Sequence, residues 1–254
     1  MLIYCNGDSF TSGHGLGDFL LPNYPGESDD APDKLPYLAK WTADTYSASY
    51  THRRELSKEI QAEEANRCWP SKLKKYGYVV VNSAQAGSSM QRISRSTVTD
   101  LIRLKQTAPN IVAIISVPPI ERSEVYYNGA WVDFSHAHLE SFDYIPHLKN
   151  FYSGLLLDDL EGYAGITRWY IAAIQIKDYC KANNIPLLWI NSVNSVGVID
   201  KFKDVNNLVK YLDIKYELTM AHLKSDLGYV PDGHFSEKVH DQVAQILNDK
   251  IKGM

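Results

Sequence analysis

The amino-acid sequence predicts a three-layer α/β fold, a parallel central sheet with helices on both faces. Short apolar runs rich in β-branched residues recur at Leu2 to Cys5, Tyr78 to Val81, Ile111 to Val117 and Leu187 to Ile190, each bounded by Gly, Pro or Asn. Continuous rather than alternating apolar runs mark strands buried from both sides. Segments of helical period lie between them, and strands alternating with helices build a parallel sheet. The composition agrees, with 44% of 254 residues hydrophobic and 22% charged, the balance of a globular domain rather than a disordered or fibrous chain.

In order, Leu2 to Cys5 is the first strand. A helix over Trp69 to Lys75 precedes the second strand, Tyr78 to Val81, and a longer helix over Met90 to Lys105 follows it. Ile111 to Val117 is the third strand and Leu187 to Ile190 the fourth, with a helix over Ile166 to Lys181 between them and another over Leu208 to Leu223 beyond. The last helix has Ser236 at its N-cap, Val239, Val243, Ile246, Leu247 and Ile251 on one stripe, and Gly253 past its end. Residues 17–50 and 120–149, approximately, break the alternation. Connections this long in a compact domain are commonly lids or functional insertions, so the chain reads as one domain, 1–254, carrying two insertions. Right-handed crossovers place the C-terminal ends of the strands on one edge, where ligands of open α/β sheets bind.

Charge and cysteine content narrow the function classes. Twenty-six Lys and Arg against 30 Asp and Glu leave a formal net charge of −4, which argues against a broad grip on nucleic acid or anionic lipid. No window reaches the ~18 uninterrupted apolar residues of a membrane span. Cys5, Cys68 and Cys180 are too far apart for a zinc or disulfide framework and read as reduced core residues. No secretory signal is visible after Met1, so a cytoplasmic location is expected. Neither a metal nor an organic cofactor is called for, and the oligomeric state is left open.

Two short motifs carry chemistry. Asn6-Gly7-Asp8-Ser9-Phe10 puts Ser9 where the first strand gives way to a helix. A serine hydroxyl is a weak nucleophile without an oriented base. Pro231-Asp232-Gly233-His234, just before the last helix, offers one: Asp232 would fix the tautomer of His234, and His234 would deprotonate Ser9. An ordinary histidine titrates near ~6.5, suited to a base working at neutral pH. Taken singly, each motif is equally a turn followed by a helix cap. Together they fall on the same sheet edge from opposite ends of the chain.

On these residues the chain resembles the SGNH, or GDSL-like, hydrolase superfamily, a flavodoxin-like fold of serine esterases. Gly7-Asp8-Ser9-Phe10 matches its first block, and Asn82-Ser83-Ala84-Gln85-Ala86-Gly87-Ser88-Ser89 is similar to its second. The resemblance implies that the amides of Ser9 and Gly87 form an oxyanion hole, with Asp8, Asn82 and Ser88 bordering the substrate. Asp232 and His234 match the last block, one residue closer than the commonest spacing. That form, with Trp69-Pro70-Ser71-Lys72-Leu73, the run from Asn82 to Thr97, and Asn128-Gly129-Ala130-Trp131, resembles the bacteriophage-encoded branch, which would place the protein in a host cytoplasm or a virion. The third block departs. Its usual asparagine, an oxyanion donor, is absent from Ile115-Ser116-Val117-Pro118-Pro119-Ile120-Glu121-Arg122, leaving Arg122 or Ser116 to supply the bond. Met90 stands where that branch has a polar residue and reads equally as packing at a helix start.

The expected activity is hydrolysis of an ester, with an acylated carbohydrate or small molecule as substrate. The alternative is a catalytically impaired carbohydrate-binding or structural module of a phage particle. Weaker signals point elsewhere. Gly13-His14-Gly15-Leu16-Gly17 resembles a dinucleotide loop, although Asn82 stands where an acidic residue would end the second strand. His136 and His138, near Asp133 and Glu140, have the residue types of a metal site but read as a solvated loop. Arg92, Arg95 and Arg122 are candidates to receive an anionic substrate, and Tyr126, Tyr127 and Trp131 to stack on a sugar.

Overall fold

A computed structural model describes residues 1–28, 37, 40, 41, 44, 55–120, 122–127, 129–134, 163–192, 206–212, 214–220, 223, 228–230 and 234–254. Five strands form one parallel sheet: β1 (Leu2–Asn6), β2 (Val79–Asn82), β3 (Ile111–Val117), β6 (Leu187–Asn191) and β7 (Tyr216–Thr219). Two more, β4 (Ser123–Tyr127) and β5 (Ala130–Phe134), make a separate antiparallel hairpin. The main sheet runs β2-β1-β3-β6-β7, which is the flavodoxin-like order of a doubly wound sheet, and its strand order reverses at β1 and β3.

Every residue of β3 is buried, as a central strand covered on both faces requires. Alternate residues feed two cores. Tyr4, Ala113, Ile115, Val117 and Trp189 face one layer, where they meet α4 (Met90–Leu104), α5 (Tyr163–Ala182) and α6 (Asn206–Leu212). Ile3, Cys5, Val112, Ile114, Leu188 and Ile190 face the other, against α3 (Trp69–Lys72) and α7 (Glu237–Lys252). On α4, Met90, Ile93, Ser94, Thr97 and Leu101 form one buried stripe, so Met90 packs at the helix start. The three cysteines are free and buried. Among the described residues no helix is long and apolar enough to cross a membrane.

Several elements differ from expectation. The helix expected over Leu208 to Leu223 ends at Leu212 and gives way to β7. A register shift between Trp189 and Ile190 sets Tyr216 opposite Trp189 and Leu218 opposite Ile190. This bulge sends Tyr216 to one core and Leu218 to the other, although residues two apart in a regular strand share a face. An additional helix, α2 (Ser57–Arg67), buries only Ile60 and Glu64, too few apolar positions to betray its period. Within the second insertion lies the β4–β5 hairpin. Ser236 stands at the N-cap of α7 without a side-chain capping bond, and Glu27 accepts the Glu237 N–H instead, at 3.4 Å.

Candidate active site

The strand-order reversal puts the ends of β1 and β3 beside each other, and the loops leaving them carry Ser9 and Arg122. The first loop is locked from below. Asn6, buried at the end of β1, donates to Ser96 Oγ at 2.8 Å and Thr97 Oγ1 at 2.9 Å on α4, and its own Oδ1 accepts the Gly7 N–H at 2.8 Å. Gly7 lies so close to β3 that a Cβ there would sit 2.8 Å from Ser116 Cβ. Asp8 caps the four-residue helix α1 (Ser9–Ser12), accepting the Phe10 N–H at 3.2 Å. Ser9 is therefore the first residue of that turn, and it is 4% exposed.

Asp8 is fully buried, and its other oxygen pairs with Arg122 Nη1 at 3.0 Å. Burial raises its carboxyl above the ordinary value, while the charges of Arg122 and then His234 pull it back. Of the two substitutes for the missing asparagine, Arg122 thus stands against the residue preceding Ser9, whereas Ser116 is sealed beneath Gly7 with its hydroxyl unpartnered among the described residues.

His234 comes to this place from the far end of the chain. Its ring lies 4.9 Å from Phe10 and 5.0 Å from His14, centroid to centroid. The loop before it is stapled at its base: the Val230 N–H donates to the His234 carbonyl at 3.0 Å, and Ser28 and Tyr229 exchange backbone bonds at 2.9 and 2.7 Å. Asp232 lies outside the described residues. Behind His234, the buried His240 accepts the Trp69 N–H on Nδ1 at 3.0 Å. Burial, with Lys72 and His234 adding to it, pulls His240 down to about 3, so it is neutral.

The second loop runs alongside the first. The Ser83 N–H donates to the Cys5 carbonyl at 2.9 Å and the Gln85 N–H to the Gly7 carbonyl at 3.3 Å. Asn82 Oδ1 accepts the Ala84 N–H at 3.1 Å, an Asx turn that starts the loop. Gly87 has φ +81°, a conformation other residues resist. Ser88 is buried and donates its N–H to the Gln85 carbonyl at 3.2 Å. Between the two loops and α2 opens a cleft of about 800 Å³. Its surface is about equally polar and apolar, with Ser12, His14, Gln61, Glu64, Asn82 and Gln85 beside Ile60, Val80 and Ala86.

The other expected features have different outcomes. A Cβ on Gly13 would sit 2.7 Å from Cys68 Cβ, and one on Gly17 would sit 2.5 Å from the Ile60 carbonyl oxygen. These glycines serve close packing on α2, and the Gly15 N–H donates to the Glu64 carboxylate at 2.9 Å, where a phosphate loop would leave its amides for an anion. The arginines do not form a free cationic patch: Arg92 pairs with Asp133 at 2.9 Å, Arg95 with Glu124 at 2.8 Å and Arg122 with Asp8. Asp133 is thereby committed, and His136, His138 and Glu140 lie outside the described residues. Tyr126 and Trp131 are exposed and meet edge to face at 5.3 Å on the hairpin. The sequence motifs assign no role to Asn6, His14 or His240, and they name Asp133 only beside a candidate metal site. Asn6 and His14 each stand inside a quoted motif, whereas nothing local marks His240.

Several solved structures resemble the chain, two of them over nearly its full length. One is a protein described as lipolytic, of the G-D-S-L family, from Desulfitobacterium hafniense DCB-2, at 11% identity over 98% of either chain and a TM-score of 0.41. The other is the psychrotrophic esterase EstA from Pseudoalteromonas sp., in a structure inhibited by monoethylphosphonate, at 11% identity over 99% of this chain and 97% of that one, with a TM-score of 0.46. Identity this low and superposition this loose carry neither residues nor activity across. No protein-family model matches the chain, and no curated protein is similar to it.

Proposed function

We propose that the protein is a serine ester hydrolase with Ser9 as nucleophile, His234 as general base and Asp232 as the carboxylate that orients it. The observation that carries this reading is the meeting of the Ser9 loop with His234 from the opposite end of the chain, the Phe10 and His234 rings 4.9 Å apart. Ser9 Oγ attacks the ester carbonyl while His234 takes its proton. The amides of Ser9 and Gly87 receive the developing oxyanion, with an Arg122 N–H not used by Asp8 as a third donor. His234 then protonates the departing alcohol, and water, activated by the same base, clears the acyl-enzyme. The cleft between the Ser12–His14 segment, the Asn82–Ala86 segment and α2 offers Ser12, His14, Gln61, Asn82 and Gln85 to the hydroxyls of a sugar and Ile60 and Val80 to its apolar faces. An O-acylated carbohydrate is the substrate class we assign on those side chains.

The test is hydrolysis of p-nitrophenyl acetate by wild type, Ser9→Ala and His234→Ala, with fluorophosphonate labelling of each. We expect turnover and labelling in the wild type, neither in Ser9→Ala, and a loss of at least ~10³-fold in His234→Ala. The missing third-block asparagine supports a second reading, a retired esterase kept as a carbohydrate-binding or structural module of a phage particle. A folded wild type that neither turns over nor labels, yet binds an acetylated oligosaccharide, would favour it.

A further inference from the structure

We propose that the β4–β5 hairpin is a bracket that fixes the oxyanion turn relative to the nucleophile loop, with Asp133 as its positioning residue. The proposal rests on the esterase reading. Asp133, on β5, accepts three bonds from the start of α4: the Ser89 N–H at 3.1 Å, Ser89 Oγ at 3.0 Å and Arg92 Nη1 at 2.9 Å. Ser89 is the N-cap of that fifteen-residue helix, its Oγ accepting the Arg92 N–H at 3.2 Å, so the carboxylate also sits at the positive end of the helix dipole. Arg92 reaches on to Gln85 Oε1, and the Gln85 N–H holds the Gly7 carbonyl at 3.3 Å. At the other foot of the hairpin, Arg122, which adjoins β4, holds Asp8 at 3.0 Å.

These contacts close a ring. It runs from Asp8 through Arg122, across the hairpin to Asp133, through Arg92 to Gln85, and back to Gly7. The turn from Gln85 to Ser89 is pinned at both ends, and Gly87 lies between the pins. The hairpin is not part of the main sheet. A two-stranded ribbon alone is marginal in water, so its feet on the two loops do not merely decorate an independently rigid element. Each foot is an acid–arginine pair with little exposure. At Asp133 and Arg92 the side chains are 10% and 25% exposed, and at Asp8 and Arg122 they are 0% and 17%. Removing Asp133 frees one end of the oxyanion turn while leaving Ser9, Gly87 and His234 chemically intact.

Asp133→Ala and Asp133→Asn, with wild type and Ser9→Ala beside them, test this in the full chain. The readouts are kcat and KM for p-nitrophenyl acetate, the rate and amplitude of fluorophosphonate labelling, and the melting temperature. A donor displaced by about 1 Å costs on the order of 10²-fold, so we expect kcat to fall ~10- to 100-fold in Asp133→Ala with KM within ~3-fold, and labelling to slow in parallel. Asparagine keeps an acceptor for the Ser89 N–H and loses the charge for Arg92, and we expect it to recover part of the rate. A purely structural role would reduce the labelled fraction and the melting temperature but leave the labelling rate of folded molecules unchanged, and that result overturns the proposal. So does wild-type kcat in Asp133→Ala. A wild type that neither turns over nor labels overturns the esterase reading and the proposal with it, whereas Ser9-dependent activity indifferent to Asp133 overturns the proposal alone.

Discussion

At the scale of single residues, the loop around Ser9 is held by groups that have no part in bond making. Gly7 is glycine because Ser116 and Thr11 leave no room for a Cβ. Gly7→Ala is therefore expected to destabilise the fold by about 1–3 kcal/mol, the usual cost of overpacking a filled interior. Urea unfolding measures it, and an unaltered midpoint would show that the strand exit can shift. Arg122 presents a sharper case, because it both neutralises a buried carboxylate and stands as a candidate oxyanion donor. Arg122→Ala leaves Asp8 buried without its partner, which costs about 3–5 kcal/mol, and we expect turnover to fall far more than affinity. Arg122→Lys separates the two roles: the ammonium retains the charge beside Asp8 but lacks the planar fork. Recovery of stability without recovery of kcat would assign Arg122 to the oxyanion, and full recovery of both would confine it to holding Asp8.

At the scale of elements, legibility followed burial. Of the four strands expected from sequence, β1, β3 and β6 lie buried under two helical layers while β2, at the sheet edge, is half-exposed, and α4 and α7 announced themselves through single buried stripes. What escaped was whatever departs from regular period. The bulge in β7 sends Tyr216 and Leu218 to opposite faces, and α2 buries too little to show a stripe. The hairpin escaped for another reason, since its importance lies in the ends it ties and not in its own pattern. If it acts as one bracket, its two feet must be energetically coupled despite lying on different strands and touching different loops. A double-mutant cycle of Arg122→Lys and Asp133→Asn on kcat is expected to show coupling of about 1 kcal/mol, the double variant losing less than the product of the singles. Strict multiplicativity would mean that each foot acts on its own loop.

At the scale of the molecule, the fold returns His234 from the C-terminal segment to the end of β1, beside Phe10 and His14. The positions of Ser9 and His234 at a strand exit and just before the last helix were legible in sequence, because turn residues mark both places. The support behind them was not, because contacts such as the one between Trp69 and His240 join residues far apart in the chain. That contact makes the docking of α7 pH-dependent. His240 must remain neutral to accept the Trp69 N–H, and the surroundings that disfavour its charge are burial, Lys72 and His234. Its folded value of about 3 lies below the ~6.5 of an unfolded histidine. Between those values the unfolded chain binds a proton that the folded chain refuses, so the contribution of His240 is fully present above pH ~6.5 and is lost as the pH falls. The slope is about 1.4 kcal/mol per pH unit, hence about 2 kcal/mol between pH 6.5 and 5. Asp8 acts in the opposite sense, because its raised carboxyl makes the folded state the better proton acceptor at the acid end. The two are separated by comparing wild type with His240→Asn, which keeps an acceptor for the Trp69 N–H and has no proton to gain. Urea unfolding at pH 7 and pH 5 is expected to show a wild type that loses about 2 kcal/mol more than the variant over that interval. Parallel losses would mean that His240 takes up its proton in the folded state and that α7 shifts to admit it.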